Sequence, residues 1–128
     1  MSADRSSIHD RLVELLEQRI LLLDGAAGTT IFAMGMDEEA IRGERFRDHD
    51  KDLKNFVDLI ALTHPDRLVE MHCQFLEAGS DIIETNTFRS SPAGLTAFGL
   101  APLLDELNPP ASDCPRHAAD PRPPHTPC

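Results

Sequence analysis

The sequence contains no tryptophan and no tyrosine, so its aromatic character rests on six phenylalanines. Its three cysteines (Cys73, Cys114 and Cys128) are irregularly placed and include no Cys-x-x-Cys pair, which excludes a disulfide framework of the secreted kind. Cys73 lies on a helical pattern and reads as a small buried hydrophobe. The six histidines are scattered without metal-ligand spacing, and His64 and His72 read as helix-surface or partly packed residues. No apolar run approaches the roughly 18 residues of a transmembrane helix, and residues 1–20 are too charged for a signal peptide. Basic residues are also scarce, 12 Lys and Arg against 22 Asp and Glu for a net charge of -10. That balance argues against a nucleic-acid ligand, whose phosphates require clustered cations. The expectation is a soluble, cytoplasmic chain.

What remains is 128 residues, 41% of them hydrophobic, enough for one ordinary domain or a piece of a larger one. Proline divides the chain: residues 1–108 hold three of the ten and residues 109–128 the other seven. The latter segment has no Leu, Ile, Val, Met or Phe, so it is expected to be a disordered tail that cannot offset its ordering entropy.

Before it, the elements are legible. Ile8, Leu12, Leu15, Leu16 and Ile20 fall on one helical face. Ile20-Leu21-Leu22-Leu23 is a short apolar run closed by Asp24-Gly25, as in a strand buried on both faces. Residues 36–54 are dense in charge and read as a surface excursion with one or two helical turns. Thr63 is the expected cap of the next helix, with Pro65 and Asp66 in its first turn, a stripe of Leu68, Met71, His72, Phe75 and Leu76, and Gly79 at its end. Ile82-Ile83-Glu84 reads as a second strand. Ser91-Pro92 opens a further helix that Gly99 closes, and a last turn runs from Ala101-Pro102 to Leu107. Strands alternating with helices predict an α/β fold with parallel βα units, of which only two are visible.

In such a fold both strands end at the ligand-binding edge of the sheet. Asp24 and Gly25 follow the first strand; Glu84, Asn86 and Thr87 close the second. A carboxylate beside open amides, facing a second carboxylate with amide and hydroxyl neighbours, suits a zwitterionic ligand such as an amino acid. The glycines match neither a dinucleotide fingerprint nor a P-loop.

Read in order, Leu23-Asp24-Gly25-Ala26-Ala27-Gly28-Thr29, Arg42-Gly43-Glu44-Arg45-Phe46, Asp52-Leu53-Lys54, Leu62-Thr63-His64-Pro65-Asp66 and the stretch from Glu77 to Phe88 with Glu84-Thr85-Asn86-Thr87-Phe88 resemble the homocysteine S-methyltransferase family. The second motif resembles in particular the N-terminal homocysteine-binding module of the cobalamin-dependent methionine synthases. The likeness runs from about residue 8 to Asn108, giving residues 1–108 as a partial homocysteine-binding domain and residues 109–128 as a Pro-rich tail from a shifted reading frame. The resemblance implies a (β/α)8 TIM barrel, here incomplete and represented by its first two βα units. It implies homocysteine as ligand, with Asp24, Gly25, Glu84, Asn86 and Thr87 in its pocket, and methyl transfer to a homocysteine thiolate. In the family that thiolate is made by a zinc ion held on three cysteines, which lowers the thiol's pKa; methylcobalamin, recharged from methyltetrahydrofolate, is the donor. Cys73, Cys114 and Cys128 match none of the zinc positions, so this chain by itself is expected to hold neither zinc nor cobalamin and to be inactive without the remaining methionine synthase modules. Asn55-Phe56-Val57 departs from the family's more polar pattern, which implies an altered loop. The alternatives are a betaine- or S-methylmethionine-type homocysteine methyltransferase and a non-catalytic interaction fragment that pairs through an exposed edge.

Overall fold

The strongest helical stripe in the sequence becomes the centre of the fold. A computed structural model describes residues 5–120. Among them the order is α1 (Arg5–Gln18), α2 (Ala27–Ala33), α3 (Glu38–Arg42), α4 (Ile60–Thr63), α5 (Pro65–Glu77), α6 (Pro92–Ala97) and α7 (Leu104–Ala119), with tight 3-10 turns at Val57–Leu59 and Ala101–Leu103 leading into α4 and α7. In α5, Pro65 occupies the first turn, where its missing N–H costs nothing. Leu68, Met71, His72 and Cys73 are buried along one side, and each large apolar side chain withdrawn from water contributes about 1.5–3 kcal/mol. Gly79, at φ 104°, reverses the chain, while Ser80 N donates to Phe75 O at 3.0 Å. Thr63 is not the cap. His64 precedes Pro65 without a side-chain capping bond, and the Thr63 hydroxyl donates instead to Ile41 O at 3.0 Å, stitching α3 to α4.

Helix α5 packs chiefly against α7, with α4 against both and α2 along its flank. The disorder expected from residue 109 onward therefore does not hold through Ala119. Pro109, Pro110 and Pro115 lie inside α7, where each removes a helical hydrogen bond and crowds the preceding turn. What carries the helix past them is its period: Leu107, Ala111, Cys114, Pro115 and Ala118 are buried on one face. Beyond Leu107, small residues at helical spacing make a close helix contact without a further large hydrophobe. Residues 121–128, the rest of the expected tail, lie outside the described residues.

The α/β expectation fails. Among the described residues there is no strand and no sheet, hence no βα units of a (β/α)8 barrel; the two apolar runs meet in one isolated parallel bridge, Leu23 with Ile82. Its hydrogen bonds are Ile82 N to Leu22 O at 3.2 Å and Asp24 N to Ile82 O at 3.0 Å. Parallel ladders persist where both faces are covered. Here Ile20 is 84% exposed, Leu22 56% and Leu23 55%, so no neighbour extends the pairing. A four-residue apolar run carries no periodicity that tells such a segment from a true strand.

An ion pair fastens the bridge. Arg19 donates to both carboxylate oxygens of Asp81 at 2.8 and 2.6 Å, and Leu22 N donates to Asp81 Oδ2 at 2.9 Å. The Arg19 hydrogen bond, then that of Leu22, holds the Asp81 carboxyl down at about 2, against 3.8 ordinarily. A carboxyl depressed in the folded state stabilises above its ordinary value and loses that contribution as pH falls. The melting temperature of the native chain should therefore exceed that of Asp81→Asn at pH 5, with the difference shrinking from pH 4 downward and lost as the pH falls through about 2; circular dichroism melts of both proteins check this.

The charged excursion of residues 36–54 is not a solvated face either. Met36, Ile41, Phe46 and Leu53 enter the core. Arg42 draws the segment together, donating to Glu38 Oε1 at 2.7 Å and to the carbonyls of His49 and Lys51 at 2.8 and 2.7 Å.

Candidate functional site

The parallel bridge brings the ends of the two apolar runs side by side. Both oxygens of Asp24 accept from Glu84 N, at 3.1 and 3.2 Å, so the first expected site residue holds the backbone of another. The Glu84 residue is exposed. Around Gly25 the backbone is open, since a Cβ placed there would meet nothing within 4 Å. Ala26 follows at φ 43°, a left-handed turn that leads the chain into α2. Thr87 shares a hydroxyl–hydroxyl hydrogen bond of 2.8 Å with Thr85. Asn86 behaves differently. It is 6% exposed, and its Nδ2 donates inward to Val57 O at 3.0 Å, which makes it a tether of the loop.

The structure thus sets Asp24 and the neighbouring Gly25 beside Glu84, with Thr87 farther along the same loop and Asn86 tethering that loop inward. Two carboxylates there offer electrostatic complementarity to an ammonium, while a free amide region and a hydroxyl suit a carboxylate group.

Sequence pattern does not single out Asp58, though one carboxylate within the apolar run Val57-Asp58-Leu59-Ile60-Ala61-Leu62 is a signal. It is fully buried. Its Oδ2 accepts from Arg89 N and from Ser90 Oγ, both at 2.7 Å, and Oδ1 has no partner. Burial pushes its carboxyl up against these bonds. Asn86 and Asp58 together pin the loop that carries Glu84 and Thr87 onto the turn before α4.

His72 is likewise fully buried, not on the surface or partly packed as expected. Neither ring nitrogen has a partner; burial lowers its pKa, opposed by the charge of Asp24, so the ring is neutral. His64 is half-buried with Nδ1 unpartnered. Cys114 is buried on α7, where burial and the charges of Asp113 and Asp66 push its thiol up. Such a thiol stays protonated and is neither a nucleophile nor a ready ligand. Among the described residues no three His, Cys, Asp or Glu side chains could hold a metal ion, and no helix is long and apolar enough to cross a membrane.

An open groove of about 1380 Å³ lies elsewhere, between Phe32, Met36, Arg42, Arg47, Lys54 and His64, and includes none of the expected site residues. Two of its charge pairs are internal, Arg42 with Glu38 and Arg47 with Glu44.

The homocysteine S-methyltransferase family model matches residues 21–124. The match starts in the first apolar run, takes in both Asp24 and Glu84, and continues through the proline-bearing helix α7. Covering most of the chain, it shows that the protein belongs to the homocysteine S-methyltransferase family, whose reaction is the methylation of homocysteine.

Proposed function

We propose that this chain binds homocysteine by its amino-acid end at the corner formed by Asp24, Gly25, Glu84 and Thr87, with Asn86 holding the loop behind them. The observation that supports this most directly is the Asp24–Glu84 hydrogen bond, which sets one carboxylate beside the residue bearing the second. The ligand's ammonium then sits between the two carboxylates. Its carboxylate turns toward Gly25 and Thr87.

The finer reading is the methionine synthase type, with methylcobalamin as donor and the remaining modules as partners. It rests on the resemblance of Arg42-Gly43-Glu44-Arg45-Phe46; the betaine and S-methylmethionine types lack that support. The described residues do not fit the family's zinc ion, because their donor side chains do not cluster and the Cys114 thiol is held neutral. Activation of the sulfur is therefore assigned to none of them. In this proposal the chain recognises homocysteine but does not by itself methylate it.

Titration calorimetry with homocysteine tests the reading. Glu84→Gln removes the charge of an exposed residue and leaves its backbone bond to Asp24 in place. It should weaken binding about tenfold, equivalent to about 1.4 kcal/mol, with the melting temperature unchanged. No heat from the native chain, or equal affinity in the variant, would refute the pocket.

A further inference from the structure

Asp24 is followed by Gly25, whereas every other aspartate and asparagine of the chain is followed by a residue that bears a side chain. At this dipeptide alone, no Cβ shields the backbone nitrogen that follows a carboxyl-bearing residue. The fold leaves the nitrogen open as well. Gly25 is exposed, a Cβ placed on it would meet nothing within 4 Å, and its N–H takes no hydrogen bond among the described residues. It lies between the isolated Leu23–Ile82 bridge and the start of α2 at Ala27, so neither a ladder nor a helix fixes its backbone.

Other aspartates are held more firmly. Asp58 is buried and bonded to Arg89 N and Ser90 Oγ at 2.7 Å, and Asp81 is gripped by Arg19 and Leu22 N. The Asp24 carboxylate is half-buried and has one donor, Glu84 N, shared between its oxygens at 3.1 and 3.2 Å, the long end of hydrogen-bond distances.

We propose that Asp24 isomerises to isoaspartate through a succinimide and that this conversion abolishes the homocysteine site, a consequence that rests on the binding proposed above. The Gly25 nitrogen attacks Cγ of the protonated Asp24 carboxyl. The N–Cγ bond forms, the Cγ–OH bond breaks, and the hydroxyl leaves with the amide proton as water. Water then adds to the former backbone carbonyl of Asp24 and breaks its bond to the ring nitrogen. The main chain now runs through Cβ and Cγ, and the carboxylate sits directly on Cα. Nothing is oxidised or reduced, and the water lost is regained, so the mass is unchanged. The main chain has lengthened by one carbon and the carboxylate has drawn back by one, which takes it away from Glu84 N and from the second carboxylate of the pocket.

Ageing the full chain for several weeks in warm neutral buffer without homocysteine, followed by peptide mapping with electron-transfer fragmentation, tests the chemistry apart from the binding. Isoaspartate should accumulate at Asp24 ahead of every other aspartate. Gly25→Ala, whose methyl group the surroundings admit, should slow it by about tenfold or more. An intact Asp24, another aspartate converting first, or Gly25→Ala ageing at the native rate would each overturn the proposal. Titration calorimetry on the same samples should show the fraction of chain that binds homocysteine falling in step with the isoaspartate fraction. A binding fraction that stays constant as isoaspartate accumulates would overturn the loss of the site. A fresh chain that gives no heat would refute the pocket and that consequence with it, while the mapping still decides the isomerisation.

Discussion

Phe56→Ala is expected to destabilise the chain by about 3–5 kcal/mol, the usual cost of emptying a buried aromatic site. Phe56 is fully buried, and its ring meets that of Phe98 at 4.8 Å between centroids, tilted by 50°, a geometry worth roughly a further 0.5–1.5 kcal/mol. The Arg89 guanidinium lies over the Phe98 ring at 5.2 Å, so one aromatic pair joins the turn before α4, the end of α6 and the loop after Glu84. Domains of this kind are stable by only about 5–15 kcal/mol. The variant should therefore lose most of its cooperative transition. Phe88→Ala is the matched control. Phe88 is 89% exposed, and its loss should move stability by no more than about 0.5 kcal/mol. Urea titrations of the three proteins decide the matter, and equal losses in both variants would contradict a core centred on Phe56.

Phe56 also shows why the sequence was only partly legible. As a departure from the family's polar pattern it implied an altered loop, yet its ring became a centre of packing. The same happened with Met36, Ile41, Phe46 and Leu53, whose apolar character was masked by the charges between them. Where period and length were both present, as in α1 and α5, local spacing sufficed. Ser91-Pro92 opens α6 as expected, and the Ser91 hydroxyl caps it, accepting from Gly94 N at 3.2 Å. Where the run was short, as at residues 20–23, tertiary surroundings decided, and only a single bridge formed. Helix α7 defeated composition altogether, because alanine, cysteine and proline at helical spacing bury a face that contains one leucine. Of the candidate site, the convergence of Asp24 and Glu84 followed from their place after two neighbouring runs. The inward turn of Asn86 did not, since it depends on Val57 O lying opposite, a contact between segments distant in sequence.

Asp58 carries the second large effect. Asp58→Ala removes the acceptor of two hydrogen bonds and strands the Arg89 N–H and the Ser90 hydroxyl, each at about 1–3 kcal/mol when buried. Asp58→Asn keeps an oxygen for those donors and should cost much less. The pair also differs in its response to pH. Burial raises the Asp58 carboxyl above its ordinary 3.8, so the folded state prefers the protonated form and this residue weakens the fold as pH rises through its folded value. Lowering the pH from 7 toward 4 should therefore raise the melting temperature of the native chain relative to Asp58→Asn, the reverse of the trend for Asp81, whose carboxyl is depressed. Because Arg89 and Ser90 close the loop that begins at Glu84, Asp58→Ala should also weaken homocysteine binding while Asp58→Asn largely retains it. Melts across that pH range, with calorimetry on both variants, separate the two roles. A native chain that falls in stability relative to Asp58→Asn on acidification would show that the folded state holds the buried carboxyl ionised, and would overturn this account of Asp58.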